Sequence, residues 1–186
     1  MVSIMSLWLP ILVSAVIVFI LSSIIHMVTP FHKGDLKALP REDDVMNALR
    51  AFAIPPGDYG MPRAGSMEQM KSAAFLDKMR KGPVAFMTFR APGPFSMNST
   101  LVLWFIYSIV ISFFAAYIGS VTLAPGTPYL KVFQIVGCVA FIGYALALPQ
   151  GSIWWGKNWG STIRTMIDGL IYGLMTGGTF GWLWPR

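Results

Sequence analysis

The chain has 186 residues, of which 55% are hydrophobic and only 12% are charged, whereas soluble domains average about 25% charged residues. Its formal net charge is +6, but ten of the fourteen basic residues lie among seven of the eight acidic ones, which argues against a nucleic-acid-binding surface. The single cysteine, Cys138, excludes an intramolecular disulfide and a cysteine-based metal cluster. Residues 1–28, 91–130 and 132–156 carry no formal charge, which is typical of membrane-spanning segments.

The first predicted span covers residues 7–28, and its 22 uncharged residues are enough to cross the hydrocarbon core as a helix. A signal peptide would begin with basic residues and end at a small-residue cleavage site. Residues 1–6 contain no lysine or arginine, and residues 22–26 form a poor cleavage site. We therefore predict that residues 1–28 are an uncleaved transmembrane anchor.

A charged block of about 70 residues follows, at residues 29–99. A helix is predicted after Pro40, because acidic residues open it where the helix dipole is positive. A second helix is predicted from a capping box at Ser66 to about Arg80. Residues 84–90 are predicted to form a short strand or a membrane-hugging extended piece. Because the block is rich in proline and glycine, we expect it to pack on the membrane face or on a partner.

The second and third predicted spans cover residues 101–119 and 129–148. Polar side chains at residues 98–100 offer N-cap oxygens for the second span. The proline–glycine turn at residues 125–128 separates the two spans. The connection is so short that the two spans must form an antiparallel hairpin.

The fourth predicted span covers residues 165–184, after a tryptophan-rich connection at residues 152–161. Tryptophan is favoured at the headgroup level, so this connection is predicted to lie along the membrane surface. The prediction is therefore an all-α integral membrane protein with four transmembrane helices. It divides into the anchor at 1–28, the partly helical block at 29–99 and a three-helix region at 100–186.

The distribution of basic residues predicts the orientation of the spans. Six lysines and arginines flank the membrane ends of the block, whereas the opposite side has only Lys131 and Arg186. Basic loops remain on the cytoplasmic side, so the block is predicted to be cytoplasmic. In a bacterial inner membrane, both termini would then be periplasmic.

His26, His32 and Asp35 lie together where the first span leaves the membrane. Imidazole and carboxylate groups are ligands for Zn²⁺ and other divalent metals, so these three residues form a candidate metal site. The alternative is an interfacial cluster that caps the helix end and pairs with Lys33 or Lys37.

Asp168 is the only acidic residue within a predicted span, and Arg164 precedes it by four residues. Residues at this spacing share one helix face, so the two are predicted to form an ion pair. Acidic residues within spans often mark ion pathways, so ion-coupled transport through Asp168 is the alternative.

Gly169, Gly173 and Gly177 recur every four residues along the fourth predicted span. Such a face lets two helix backbones approach closely. The spacing predicts close helix packing, either with another subunit or within one chain.

Several short stretches of the sequence carry a resemblance to a known family. They are His26 with residues 30–35, residues 55–59 and 82–84, and the C-terminal stretches 152–154, 168–172 and 181–185. On these stretches the chain resembles a family of uncharacterised bacterial four-span inner-membrane proteins. The resemblance extends over nearly the whole chain. It implies the four-span topology and a bacterial source, and it implies no activity.

No nucleophile elbow, phosphate-binding loop or dinucleotide-binding unit is found in the sequence, so no catalytic residue and no cofactor is predicted. The leading hypothesis is a non-enzymatic structural or accessory subunit of a larger inner-membrane complex. It would bind partner subunits, or further copies of itself, through the glycine face and the cytoplasmic block. The alternatives are a small transporter that uses Asp168 and a metal-binding membrane protein that uses His26, His32 and Asp35.

Overall fold

The computed structural model describes residues 1–94 and 96–186, and 66% of the chain is helical. It forms two units, one made of Met1–Leu36 with Ser96–Arg186 and the other of the described part of Lys37–Phe95. The first unit includes residues 29–36, which the sequence assigned to the charged block. His32 and Asp35 therefore belong to the same unit as the long helices.

The helices and strands follow one another in this order: α1 Trp8–Met27, α2 Glu42–Arg50, β1 Gly57–Met61, α3 Met67–Lys71, α4 Ala73–Lys81, β2 Ala85–Phe89, α5 Met97–Thr122, α6 Tyr129–Phe141, α7 Pro149–Trp155 and α8 Trp159–Leu183. A short 3-10 turn, Ile4–Leu7, precedes α1, and a π-helical segment, Ile142–Leu146, joins α6 to α7.

In the first unit, α1 and α6 each pack against both α5 and α8, so the four helices form a bundle. Its centre contains fully buried apolar side chains, including Val18, Val136 and Phe180. Hydroxyl groups join α1 to α5, since Ser14 Oγ donates a hydrogen bond to Ser112 Oγ at 3.1 Å. Small residues at such contacts let membrane helices approach closely.

The starts of α5 and α8 follow from their N-cap residues. Asn158 Oδ1 accepts hydrogen bonds from the backbone N–H groups of Gly160 and Ser161, and α8 therefore starts at Trp159, earlier than the predicted residue 165. Ser96 caps α5, which therefore starts before the polar residues 98–100 that were predicted to cap it. In both cases the N-cap is a polar residue that lies earlier in the sequence than the predicted start, namely Ser96 for α5 and Asn158 for α8.

The helical segment that begins with α6 is longer than its predicted span and runs to Trp155. The tryptophan-rich connection at residues 152–161 was predicted to lie along the membrane surface, and this stays a prediction. Its first part belongs to α7 and its last part to α8. Gly156, at φ +63°, ends α7 in the left-handed conformation that glycine adopts readily.

Three helical segments are long and apolar enough to cross a membrane, namely Ile4–Met27, Met97–Thr122 and Tyr129–Trp155. They correspond to the first three predicted spans, and the chain is therefore a membrane protein. The fourth predicted span, residues 165–184, falls almost entirely within α8, which is not one of these three segments, so the fourth span stays a prediction.

The second unit contains α2, α3, α4 and a two-stranded antiparallel hairpin of β1 and β2, in which Tyr59 pairs with Met87. The prediction of an all-α fold omitted this hairpin, although it allowed a strand at residues 84–90. The predicted second helix is divided into α3 and α4 at Ser72, whose side chain caps α4. None of the side chains described at residues 37–94 is buried.

Candidate metal centre

The last turn of α1 and the loop after it bring two histidines against α8. Thr29 Oγ1 donates to the carbonyl of Ile25 at the end of α1, and Asp35 N–H donates to the carbonyl of His32 in the turn that follows. These turns fold the loop back, so that the rings of His26 and His32 stack with centroids 4.4 Å apart. Both rings face the same carboxylate on α8.

That carboxylate belongs to Asp168. Its Oδ2 lies 2.7 Å from Nε2 of His32 and 3.8 Å from Nε2 of His26. One ligand atom from each of the three residues lies within 4.8 Å of the other two. The three residues therefore present two imidazole nitrogens and one carboxylate oxygen to a common point.

The other nitrogen of each ring is already hydrogen-bonded. Nδ1 of His26 lies 3.0 Å from the backbone carbonyl of Ser22, which can only accept, so this nitrogen carries the proton in the neutral ring. Nδ1 of His32 lies 2.6 Å from Oδ2 of Asp35. In metal proteins, such hydrogen bonds fix the tautomer and direct Nε2 to the ion. Here Nε2 of His32 contacts Asp168, so an ion would have to replace that hydrogen bond.

Arg164 holds Asp35 in place. Its Nε donates to Oδ1 of Asp35 at 2.8 Å, and its Nη2 donates to the same oxygen. The hydrogen bond from His32 lowers the pKa of Asp35, and Arg164 adds to this effect, although desolvation opposes it. Asp35 therefore remains a carboxylate that can orient the ring of His32.

This arrangement corrects the predicted ion pair between Arg164 and Asp168. Arg164 binds Asp35 and Asp168 faces the histidines, although Arg164 and Asp168 share a helix and have the right spacing. The loop after α1 supplies a competing carboxylate for Arg164, which the spacing within α8 could not reveal.

Asp168 is 1% exposed, and its second oxygen, Oδ1, has no hydrogen-bond partner among the described protein atoms. A buried carboxylate is costly unless a cation or several hydrogen bonds compensate it. The side chain of His26 is 48% exposed, so an ion could reach the carboxylate from that side. His32 compensates one oxygen of this carboxylate directly. A metal ion could bind to the same three residues once His32 and Asp168 separate beyond their present 2.7 Å.

The structure brings together two of the three residues predicted to bind metal. His26 and His32 face the site, whereas Asp35 lies on the far side of the His32 ring and contacts Nδ1. Asp168 takes the place that the sequence assigned to Asp35. The sequence did single out Asp168 as the one acidic residue within a predicted span, which is a feature typical of functional sites.

The glycine face of α8 packs within the chain. An added Cβ at Gly173 would lie 3.0 Å from the carbonyl oxygen of Gly137, and one at Gly177 would lie 2.7 Å from that of Phe133. An added Cβ at Gly169 would lie 2.8 Å from the Cβ of Ala145. These glycines thus let α8 pack closely against α6 and the π-helical segment. They pack within the chain, and not against a partner subunit as the leading hypothesis proposed.

No protein family, curated protein or solved structure matches this chain in the comparisons made with each. The resemblance to bacterial four-span proteins therefore stays a prediction.

Proposed function

We propose that this chain is a membrane protein that binds a divalent transition-metal ion through Nε2 of His26, Nε2 of His32 and the carboxylate of Asp168. The observation that carries the proposal is the convergence of both Nε2 atoms on one buried carboxylate while both Nδ1 atoms are hydrogen-bonded elsewhere. The ion would displace a proton from Nε2 of His32 and would neutralise the buried charge of Asp168.

The donor set favours a metal of intermediate softness. Two imidazoles and one carboxylate suit Zn²⁺, Fe²⁺ and similar ions, whereas Mg²⁺ and Ca²⁺ prefer sites built only from oxygen. Three protein ligands leave at least one coordination position for water or another molecule, as in catalytic rather than structural zinc sites. Zn²⁺ is therefore the first ion to test.

The location of the proposed site follows from the predicted topology. We propose that α8 is the fourth span, that the protein lies in a bacterial inner membrane and that residues 37–94 face the cytoplasm. The site lies at the end of α1 from which the charged block begins, so it would also be cytoplasmic. Reporter fusions after Arg186 and within residues 37–94 test this orientation, because a cytoplasmic C-terminus would contradict it.

The metal content of the purified protein tests the proposed function. After extraction in mild detergent and dialysis against Zn²⁺, we expect about one zinc per chain by elemental mass spectrometry. The His32→Ala variant should retain far less zinc. Asp44→Asn is the matched control, because Asp44 lies in the other unit and pairs with Arg41. Equal zinc in the protein and in His32→Ala would overturn the proposal.

The second candidate function is the accessory subunit of a larger membrane complex. The observation that favours it lies in the described residues 37–94, which contain no buried side chain and expose apolar groups such as Phe52 (73%) and Met67 (65%). A segment that buries so little within its own chain is suited to bind a partner. The glycine face is no longer part of this proposal, since it packs against α6.

Native electrophoresis of gently extracted membranes tests this second candidate. We expect a large band that contains stoichiometric partner subunits and that dissociates when Phe52 and Met67 are replaced by serine. Asp44→Asn should leave the band intact. A band that contains only this chain would contradict the accessory-subunit function and would leave the metal site unaffected.

A further inference from the structure

A stripe of buried polar side chains runs along α8 from the candidate metal centre into the bundle. Asp168, Tyr172 and Thr176 follow one another at intervals of one helical turn, and they are at most 3% exposed. Asp168 Oδ1, the Tyr172 hydroxyl and Thr176 Oγ1 have no hydrogen-bond partner among the described protein atoms. We call these three residues the α8 polar stripe.

Tyr144, in the π-helical segment, faces the same region. Its ring centroid lies 5.4 Å from that of Tyr172, and its hydroxyl is also buried without a partner. Short π-helical segments are often found at functional sites, because the extra residue redirects side chains. Four polar atoms from two neighbouring elements are thus left unpaired in one part of the bundle.

The serine hydroxyls in this region do not satisfy the two tyrosines. Ser22 Oγ donates to the carbonyl of Phe19 and accepts from Nε1 of Trp104, while Ser108 Oγ donates to the carbonyl of Trp104. Ser22 and Ser108 interact with the hydroxyls of Tyr172 and Tyr144, but neither contact has normal hydrogen-bond geometry. A better-placed partner such as water would stabilise the tyrosine hydroxyls, and Asp168 Oδ1 and Thr176 Oγ1 have no partner among the described protein atoms, which is strongly disfavoured inside a membrane protein.

We propose that water enters the bundle beside His26 and follows the α8 polar stripe as far as Thr176. At 1.5 Å per residue, this path would extend about 12 Å from Asp168 into the bundle. The next residue on the same helix face is Phe180, which is apolar and fully buried, so the path ends there. Polar residues within spans commonly face such water-filled cavities. The path does not depend on a bound metal.

Cysteine labelling tests this path. Thr176→Cys is introduced in a Cys138→Ser background, and the protein in detergent is treated with a water-soluble methanethiosulfonate. Ala116→Cys in the same background is the control, because Ala116 is equally buried on α5 and has no polar side chain. We expect Thr176→Cys to react at least tenfold faster than Ala116→Cys. Equal rates in two variants that retain the wild-type melting temperature would overturn the proposal.

Hydroxyl-radical labelling of the unmodified protein provides a second test that needs no substitution. Radicals formed from internal water should modify Tyr172 and Tyr144 more than the buried Phe180. Modification of the tyrosines no greater than that of Phe180 would contradict the path. Both experiments are run without metal and repeated with His32→Ala, so failure of the metal site and failure of the water path give separate results.

Discussion

Nε2 of His32 lies 2.7 Å from Oδ2 of Asp168, although the two residues are 136 positions apart in the sequence. This contact fastens the loop after α1 to the side of α8. It also directs both ligand-competent nitrogens towards one carboxylate. Asp35 and Arg164 support this contact, because Asp35 holds Nδ1 of His32 and Arg164 holds Asp35.

Replacing Asp168 with asparagine should weaken Zn²⁺ binding by more than about tenfold, because a neutral amide is a poorer ligand than a carboxylate. Isothermal titration of the purified protein in detergent measures the affinity. Asp77→Asn is the control, since Asp77 is half-exposed and pairs with Lys81 in the second unit. An unchanged affinity in Asp168→Asn would exclude this carboxylate as a ligand.

Replacing Asp35 with asparagine should have a different effect, because Asp35 contacts Nδ1 of His32, on the opposite side of the ring from the proposed ion. We expect the affinity for Zn²⁺ to fall by about 10–100-fold, as is found for groups that hold a ligand in place, while the stoichiometry remains one ion per chain. Titration at high protein concentration separates affinity from stoichiometry. Loss of the site altogether would mean that Asp35 is itself a ligand, as the sequence suggested.

Asp35 should also make stability depend on pH. Because the folded protein lowers its pKa below the usual 3.8, the stabilisation is fully present above that value and is lost as the pH falls through the folded pKa. The wild type should therefore exceed Asp35→Asn by about 1–3 kcal/mol near neutral pH, and the difference should shrink below about pH 4. Chemical unfolding in detergent at several pH values measures it. A difference that stays constant down to pH 3 would contradict this origin.

The contact between α6 and α8 predicts opposite effects at two adjacent glycines. Gly177→Ala should destabilise the protein by about 1–3 kcal/mol, because the new Cβ meets the backbone of α6. Gly178→Ala meets only Tyr129 Oη at an ordinary 3.4 Å, so it should be neutral or stabilising by up to about 1 kcal/mol through helix propensity. Thermal unfolding of both variants measures the contrast. Equal melting temperatures would show that the two backbones are not in contact.

Features that depend on the local sequence pattern could be predicted from the sequence. Uncharged stretches predicted the three apolar helical segments, and the nearness of His26 to His32 predicted that the two would act together. The partner of Arg164 was missed, because the rule for residues four apart in one helix takes no account of a carboxylate on another element. Asp168 was missed as a candidate ligand for the same reason, since its place beside His32 depends on how α1 packs against α8.

The atoms that coordinate the ion test the proposed metal site most directly. X-ray absorption at the zinc edge of the loaded protein reports the atoms bound to the ion. We expect two imidazole nitrogens and one or more oxygens at about 2.0–2.2 Å, with one imidazole lost in His32→Ala. A first shell of oxygen alone, or a spectrum that His32→Ala leaves unchanged, would contradict a site formed by His26, His32 and Asp168.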